Sequence, residues 1–419
     1  QFSHKQQLIV DKAMALRQFS RFAAQQKRNV LNVRQYATQS ADAIRFDIDV
    51  KNAYTIHRPN NELGAEFVGP KDHVFATKDE LFKMYRMMAL IRRFELASDL
   101  QYKERKIRGF CHLYSGQEAV CTGLEAAITH QDSIITAYRD HGYQLTRGDT
   151  PERTMAELFG KYTGCSKGKG GSMHMYLKSS NFYGGNGIVG AQVPVGAGLA
   201  LGHQYLHRLS NKDEKNSEHV AFAMYGDGAA NQGQVFEAFN MAKLWKLPVI
   251  FVCENNKYGM GTSVARSSAS TEYFTRAQFI PGIRVDGMDI FAVKEATRYA
   301  KEFATQHGPV VMEMETYRYY GHSMSDPGIT YRSREEIQNV REHRDPIVRL
   351  KGRMIENGIA TEEELKKIDK EVKEQVERAV KFSVDSPLPP AEELVKDVYA
   401  EKSYTIKGRT VDEVFHVSN

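Results

Sequence analysis

Two short polar motifs stand where two apolar runs of the chain end. Gly226-Asp227-Gly228 follows the run 219–225, and Asn255-Asn256 follows the run 247–253. Apolar side chains recur between them at helical spacing: Val235, Phe236, Phe239, Ala242 and Trp245. A strand, a crossover helix and a second strand in about 30 residues form a βαβ unit with parallel strands. Asp227 and Asn256 are therefore predicted to meet at the carboxyl edge of one sheet, where such sheets bind ligands.

Metal and phosphate binding is the chemistry that suits this position. Carboxylate and amide oxygens are ligands for Mg²⁺, which is commonly held by a few protein oxygens together with substrate phosphates. A helix predicted to begin after Gly228 would point its amide groups and positive dipole end toward the same edge. Gly-Asp-Gly alone is usually a turn, and Asn-Asn alone is usually a loop. Their joint placement predicts a Mg²⁺–diphosphate site.

Three further segments carry side chains that could serve such a site. Tyr138 and Arg139 end a predicted strand that begins at 132, and arginine forms strong, often bidentate bonds to phosphate. The alternative for Arg139 is a surface salt bridge to Asp140. His112 lies in a loop before a predicted helix 118–128, and His322 lies beyond a predicted strand 309–318. A loop histidine taken alone is more often structural or exposed than catalytic.

The Gly-rich tract 164–172 does not fit a nucleotide-binding P-loop. Only three residues separate Gly164 from Gly168-Lys169, and Gly170 stands where a serine or threonine should bind Mg²⁺. A P-loop NTPase is therefore excluded.

Composition places the chain among globular α/β proteins. It has 419 residues, of which 41% are hydrophobic and 26% charged, enough for one large or two modest domains. No run of about 18 apolar residues occurs, so no membrane span is predicted. The four cysteines have neither metal-ligand spacing nor the pattern of a disulfide framework, which indicates reduced thiols: Cys111, Cys121, Cys165 and Cys253.

The positive charge is confined to the start of the chain. Residues 1–36 hold seven Lys/Arg and one acid, whereas the remainder holds 50 bases and 51 acids, so the formal charge of +5 predicts no nucleic-acid partner. A basic, acid-poor segment that contains Gln, Ser and Ala and scattered apolar residues is typical of a mitochondrial transit peptide, with processing near Arg34 to Ala37. A disordered basic arm is the alternative. The transit peptide predicts a mitochondrial matrix protein.

A longer string carries a family resemblance. GDGAANQGQVFEAFNMAKLWKLPVIFVCENNKYGMGTS resembles the family of pyruvate dehydrogenase alpha subunits, and its GDG and NN elements resemble the thiamine diphosphate motif of transketolase-like enzymes. Residues 109–118, GFCHLYSGQE, are similar to the family's GxxHxxxGQE motif, whose histidine lines the active-site channel. The resemblance covers about residues 40–410. It implies an α/β fold with a mostly parallel sheet, helices on both faces and a helical C-terminal flank.

The resemblance also assigns roles to residues. Mg²⁺ would be bound by Asp227, Asn256 and the carbonyl of Tyr258, and the catalytic histidines would be His112 and His322. The residues expected to contact thiamine diphosphate are Tyr138, Arg139, Gly187, Val189, Asp227, Gly228, Ala229, Asn256, Tyr258, Met260 and His322. Phosphorylation is expected at Ser323 and Ser263, and also at Thr330, where the family has a serine.

The implied activity is oxidative decarboxylation of pyruvate, followed by reductive acetylation of a lipoyl group, which links glycolysis to acetyl-CoA. The expected partners are a beta subunit in an α2β2 heterotetramer, the lipoyl-bearing dihydrolipoyl acetyltransferase core, and a pyruvate dehydrogenase kinase and phosphatase. In the family the glutamate that activates the cofactor lies on the beta subunit, so this chain is expected to be inactive alone.

Four segments are predicted: a transit peptide 1–36, an extended arm 37–75, a thiamine diphosphate-binding α/β domain 76–330 and a helical flank 331–419.

Three other functions are alternatives to that of a pyruvate dehydrogenase alpha subunit. A branched-chain 2-oxo acid dehydrogenase alpha subunit is similar but lacks the GMGTS and HSMSDPG strings. The transit leader weakens the case for acetoin dehydrogenase. Retention of Asp227, Asn256, His112 and His322 argues against a non-catalytic regulatory or assembly subunit.

Overall fold

The computed structural model describes residues 42–60, 62–210, 217–398, 403–407 and 414–418. Its strands are β1 (Ile44–Asp47), β2 (Tyr54–His57), β3 (His73–Ala76), β4 (Ser133–Ala137), β5 (Phe182–Asn186), β6 (Ala221–Gly226), β7 (Val249–Asn255), β8 (Tyr258–Gly259), β9 (Thr262–Ser263), β10 (Gly282–Asp286), β11 (Val310–Glu315), β12 (Ser403–Lys407) and β13 (Val414–Ser418). Its α-helices are α1 (Val50–Ala53), α2 (Glu62–Glu66), α3 (Lys78–Lys103), α4 (Glu118–Glu125), α5 (His141–Thr146), α6 (Pro151–Leu158), α7 (Gln192–Ser210), α8 (Gly233–Leu244), α9 (Val264–Ser267), α10 (Ile290–His307), α11 (Arg334–Arg344), α12 (Pro346–Glu356) and α13 (Glu362–Asp385).

A seven-stranded sheet in the order β2-β10-β11-β7-β6-β4-β5 forms the centre of the fold. Its strands pair in parallel except for β2, which lies antiparallel on the edge beside β10. This arrangement confirms the predicted α/β fold with a mostly parallel sheet.

Helices cover both faces of this sheet. Successive side chains of a strand point to opposite faces. In β6, Phe222 and Met224 belong to one hydrophobic cluster, while Ala221, Ala223 and Tyr225 belong to another. The first cluster includes side chains of α3, α4 and α10, and the second includes those of α7 and α8. A strand buried on both sides reads as a continuous apolar run, which is how 219–225 and 247–253 appear in the sequence.

The helix after the Gly-Asp-Gly motif differs from its prediction. A 3₁₀ turn, Ala229–Asn231, comes first, and α8 begins only at Gly233. Its buried face is formed by Val235, Ala238, Phe239 and Ala242. Phe236 and Trp245, which were predicted on that face, are 41% and 47% exposed. The spacing i, i+3, i+4, i+7 selects Ala238 instead, because a side chain packed against the sheet need not be large.

The predicted arm 37–75 is more ordered than expected over the part that the structure describes. β1 pairs with β3, and β2 extends the main sheet through its pairing with β10. The predicted transit peptide 1–36 lies outside the described residues.

The C-terminal flank is mainly helical, as predicted. Its helices α11 and α12 are separated at Asp345-Pro346, where Asp345 accepts hydrogen bonds from the amides of Ile347 and Val348. The flank also contains two short strands, β12 and β13, which pair antiparallel. Capping boxes begin α3 and α13, where Thr77 pairs with Glu80 and Thr361 with Glu364. No helix among the described residues has the length and apolarity needed to cross a bilayer.

Candidate active site

The predicted metal-binding oxygens come together at the carboxyl edge of the sheet. Gly226 pairs with Glu254 across β6 and β7, so Asp227 and Asn256 leave adjacent strands side by side. Both side chains are buried. The β8–β9 hairpin packs against the Gly226-Asp227-Gly228 turn. A Cβ added at Gly259 would lie only 4.0 Å from Asp227 Oδ2. The carbonyl of Tyr258, at the start of this hairpin, shares a hydrogen-bond donor with the Asn256 side chain.

Arg318, which was not predicted from the sequence, already donates to two of these oxygens. Arg318 Nη1 donates hydrogen bonds to Asn256 Oδ1 at 3.1 Å and to the Tyr258 carbonyl at 3.0 Å. Gln117 Oε1 accepts a bond from Asn256 Nδ2 at 2.9 Å, which leaves the amide oxygen directed at the guanidinium. A positive group therefore faces two of the three predicted metal ligands. A single carboxylate with amide and carbonyl oxygens fits Mg²⁺ completed by phosphate oxygens.

Charge at this edge is predominantly positive. Burial raises the pKa of Asp227, and Arg318 and Lys257 oppose that shift. Burial lowers the pKa of Arg318 to about 10, with nearby Arg139 adding to the effect. Within the described part of the chain Arg318 donates to four oxygens, all uncharged: Asn256 Oδ1, the Tyr258 and Tyr320 carbonyls and the Tyr331 hydroxyl. Buried charges are normally paired, so the edge is suited to an anionic ligand.

His112, Tyr138 and His322 form a ring cluster beside this edge. The ring centroids of His112 and His322 are 5.4 Å apart at 88°, and His112 lies 4.5 Å from the Tyr138 ring. Burial and the charge of Arg139 lower the pKa of His112 to about 2 and that of His322 to about 3. Both imidazoles are therefore neutral at pH 7. The Nδ1 atom of each is buried without a hydrogen-bond partner among the described residues, which leaves two polar atoms for a ligand.

Arg139 joins the two segments that carry the histidines. Its Nη1 donates to the Leu113 carbonyl at 2.6 Å, and its Nη2 donates to the His322 carbonyl at 2.8 Å. The surface salt bridge to Asp140 is absent among the ion pairs of the described residues, and Arg139 is only 6% exposed. The residue follows β4 at the same edge as Asp227, which agrees with its predicted place, but these two bonds go to backbone carbonyls.

A chain of buried hydrogen bonds holds the segment that carries His112. Glu95 accepts from the amide of Tyr114 at 2.8 Å and contacts His141 Nδ1 at 2.9 Å. His141 Nε2 lies 2.8 Å from Ser172 Oγ, which in turn accepts from the His112 amide at 3.2 Å. Although burial disfavours the imidazolium, the Glu95 carboxylate raises the pKa of His141. These residues position His112 and were not predicted from the sequence.

The remaining predicted cofactor residues follow strands: Gly187 and Val189 come after β5, Gly228 and Ala229 after β6, and Met260 after β8. Gly187 follows β5, and a Cβ there would lie 3.3 Å from the His174 imidazole. Val189 is 41% exposed and Met260 is 54% exposed, with Met260 in a left-handed backbone conformation (φ 56°) in the β8–β9 turn. Gly228 and Ala229 follow Asp227 directly. Their contact with a cofactor stays a prediction.

Residues 316–333, between β11 and α11, form the 316–333 loop, which carries His322 and Ser323. Asp326 accepts from the amides of His322 at 2.6 Å and Gly328 at 2.9 Å. The Ser323 hydroxyl is buried and lies 2.9 Å from Ser325 Oγ. Thr330 is exposed on the same loop, and Ser263 precedes α9. A modification at Ser323 therefore requires the loop to open first.

Backbone amides of the Gly-rich tract form an anion-binding site that is occupied by a carboxylate of the same chain. Both oxygens of Glu157 accept backbone amides, Oε2 from Ser166 and Gly168 and Oε1 from Gly170 and Gly171, at 2.8–3.1 Å. An internal carboxylate occupies the place that a phosphate would take in a P-loop. This contact gives a structural reason for excluding a P-loop NTPase.

Arg318 was not predicted as a site residue, although it has the sequence feature that indicated Arg139. It follows β11, just as Arg139 follows β4, and a basic residue after a strand of the same sheet lies at the same edge. Glu95, His141 and Gln117 had no such signal, because their partners are far away in the sequence.

A parallel sheet with oxygen ligands, buried arginines and paired histidines at its carboxyl edge defines a cofactor-dependent α/β enzyme. The sequence model of the dehydrogenase E1 component family matches residues 86–392, and the chain belongs to this family. The family resemblance predicted from the sequence is thereby confirmed, and membership implies thiamine diphosphate as cofactor.

Several curated proteins are closely similar over most of the chain. The chain is 58% identical to the mitochondrial pyruvate dehydrogenase E1 component subunit alpha of Dictyostelium discoideum, over 80% of this chain and 86% of that protein. It is 56% identical to the somatic form of the Homo sapiens subunit, over 81% of this chain and 85% of that protein. The Pisum sativum subunit is 56% identical, over 82% and 84% respectively.

Proposed function

We propose that this chain is the alpha subunit of a mitochondrial pyruvate dehydrogenase, which decarboxylates pyruvate oxidatively and transfers the acetyl unit to a lipoyl group. The observation that carries the proposal is the joint placement of Asp227 and Asn256, on adjacent strands, beside the His112–His322 pair. The names of the similar proteins support pyruvate as the substrate. None of the relatives named above is a branched-chain enzyme or a non-catalytic subunit.

The proposed cofactor site uses one carboxylate and neutral oxygens for the metal ion. Asp227, Asn256 Oδ1 and the Tyr258 carbonyl would hold Mg²⁺, and Arg139 with Arg318 would offset the remaining negative charge of the diphosphate. Thiamine diphosphate, when bound, supplies the carbanion chemistry of decarboxylation, whereas the protein supplies binding, orientation and electrostatics. Tyr138, Gly187, Val189, Gly228, Ala229 and Met260 would complete its contacts.

His112 and His322 are proposed to act as neutral imidazoles. A neutral imidazole donates from one ring nitrogen and accepts at the other, so each can stabilise a developing negative charge or pass a proton. The positive charge of Arg139 and Arg318 lowers the pKa of His322. An anionic ligand that offsets this charge raises that pKa again, which moves His322 toward the range in which it transfers protons.

The site is proposed to be completed by a beta subunit in an α2β2 heterotetramer. Exposed apolar side chains at the open side of the edge support this assembly: Ile188 is 76% exposed, and Val189 and Met260 are each at least 41% exposed. The lipoyl-bearing acetyltransferase core would approach the same side. Ser323 is proposed as the main target of the kinase and phosphatase, with Ser263 and Thr330 as further sites.

Substrate turnover with and without the beta subunit tests the function. The chain co-purified with beta, with thiamine diphosphate and Mg²⁺ present, is expected to turn over pyruvate much faster than 3-methyl-2-oxobutanoate. The chain alone is expected to be inactive. Preference for the branched substrate would refute the pyruvate assignment, and rapid turnover without beta would refute the need for a second subunit.

A further inference from the structure

Glu254 is a buried acid beside the site that has no part in the proposed function described so far. It lies on β7, two residues before Asn256. Its Oε1 accepts hydrogen bonds from the hydroxyls of Tyr114 and Tyr143, the latter at 2.9 Å. The two hydroxyl oxygens are themselves 3.3 Å apart. One oxygen on the strand that leads to Asn256 therefore holds two aromatic side chains from other parts of the chain.

The two tyrosines are alike in burial and differ in what they connect. Both are fully buried, and their ring centroids lie 5.6 Å apart at 76°. Tyr143 belongs to α5, whereas Tyr114 lies in the segment before α4, two residues after His112. Of the two bonds to Glu254, that of Tyr114 is the one that joins β7 to the segment carrying His112.

Tyr114 is fixed at both ends and packed tightly along its ring. Its amide donates to Glu95 at 2.8 Å, and its hydroxyl donates to the carboxylate on β7. A Cβ added at Gly142 would lie 2.8 Å from Tyr114 Cδ1 and 3.0 Å from Cys121 Sγ, so the ring has no room on that side. Close-packed interiors transmit small displacements. A shift of the hydroxyl end therefore moves the backbone that carries His112.

We propose that Glu254 is a positioning residue which, through the Tyr114 hydroxyl, sets the place of His112 relative to Asn256. The inference rests on the proposed function, in which His112 stabilises charge or passes a proton and Asn256 holds the metal ion. A misplacement of about 1 Å caused by a change away from the chemistry can lower a rate about 10²-fold. Because such a loss falls on the transition state, it lowers kcat and leaves KM unchanged.

The two tyrosines form a matched pair for the experiment, which uses the full chain assembled with its beta subunit, thiamine diphosphate and Mg²⁺. Tyr114→Phe and Tyr143→Phe each remove one donor to the same oxygen and keep the ring. Tyr114→Phe is expected to lower kcat for pyruvate about tenfold or more at unchanged KM, and Tyr143→Phe to change kcat by less than about twofold. Thermal unfolding midpoints of the two variants should fall to a similar extent, because each loses one buried hydrogen bond. Equal kcat values in the two variants overturn the proposal.

Substitutions of Glu254 test the acceptor itself. Glu254→Gln keeps an oxygen with two lone pairs that accepts from both hydroxyls, whereas Glu254→Leu keeps the approximate size without an acceptor. The glutamine variant is expected to retain a kcat about tenfold or more above that of the leucine variant. Equal values overturn the proposal, and if Glu254→Leu does not assemble, the tyrosine pair decides. An unmodified assembled enzyme that does not turn over pyruvate refutes the proposed function rather than the role of Glu254.

Discussion

The imidazole rings of His112 and His322 lie 5.4 Å apart and almost perpendicular, although the two residues come from loops far apart in the sequence. Arg139 joins these loops by donating to the carbonyls of Leu113 and His322. The pair is thus held by a buried arginine rather than by direct hydrogen bonding. A bound substrate at this edge of the sheet would meet two neutral imidazoles supported by one cation.

Replacement of His112 by asparagine is expected to lower pyruvate turnover by about 10²–10⁴-fold, the usual contribution of a positioned proton-transfer group. Steady-state rates of the assembled enzyme measure this loss. His203→Asn is the control, because His203 is a partly buried histidine that contacts Ser133 Oγ away from the site. An equal loss of turnover in both variants would mean that burial, and not position, explains the effect.

Acid should destabilise the folded chain partly through His112. Its pKa is about 2 in the folded state, below the ordinary value of 6.5, because of burial and the charge of Arg139. The unfolded chain therefore binds the extra proton as pH falls below 6.5, and stability is lost toward lower pH. Removing this histidine should lessen the loss between pH 6.5 and 5 by up to about 1.4 kcal/mol per pH unit. Urea unfolding of the unmodified chain and His112→Asn at pH 7.5, 6.5 and 5.5 measures the difference; parallel curves would contradict it.

A negative charge at Ser323 is expected to inactivate the enzyme by opening the 316–333 loop. The hydroxyl is buried beside His322, and a phosphate there adds about −1.5 to −2 charge. Ser323→Glu should reduce pyruvate turnover more than tenfold and speed proteolysis of the loop, because burial of one charge costs several kcal/mol (roughly 3–5). Thr330→Glu, at an exposed position of the same loop, should change both quantities little. Unchanged activity and protease resistance in Ser323→Glu would refute this role.

Glu157 should contribute more to the free energy of unfolding than Glu152, the other acid of α6. Its two oxygens accept four backbone amides of the Gly-rich tract. Glu157→Gln keeps the shape but removes the charge and one acceptor, and should lower the free energy of unfolding by about 2–4 kcal/mol. Glu152→Gln, on the more exposed side of the same helix, should lower it by less than about 0.5 kcal/mol. Urea denaturation compares the two variants, and similar midpoints would argue against this anion-binding site.

Much of this molecule was accessible from local sequence. Apolar runs of strand length mark β6 and β7, and Thr77 with Glu80 marks the start of α3, because period and capping act over a few residues. Local patterns also account for the two wrong predictions at α8, its first residue and its buried face, because both depend on how the helix packs against the sheet. An inserted 3₁₀ turn moves the start of the helix, and the small Ala238 rather than the large Phe236 faces the sheet.

The sequence by itself determined the chemistry offered to a ligand: which oxygens, imidazoles and guanidinium groups follow the strands of a parallel sheet. Only the tertiary structure decided how those groups are held. Arg318 between Asn256 and the 316–333 loop, Arg139 across two carbonyls and Glu95 against the His112 segment are contacts between distant segments. No local period or turn signal records them, because they arise only when the packed sheet excludes water and each buried donor must find an acceptor.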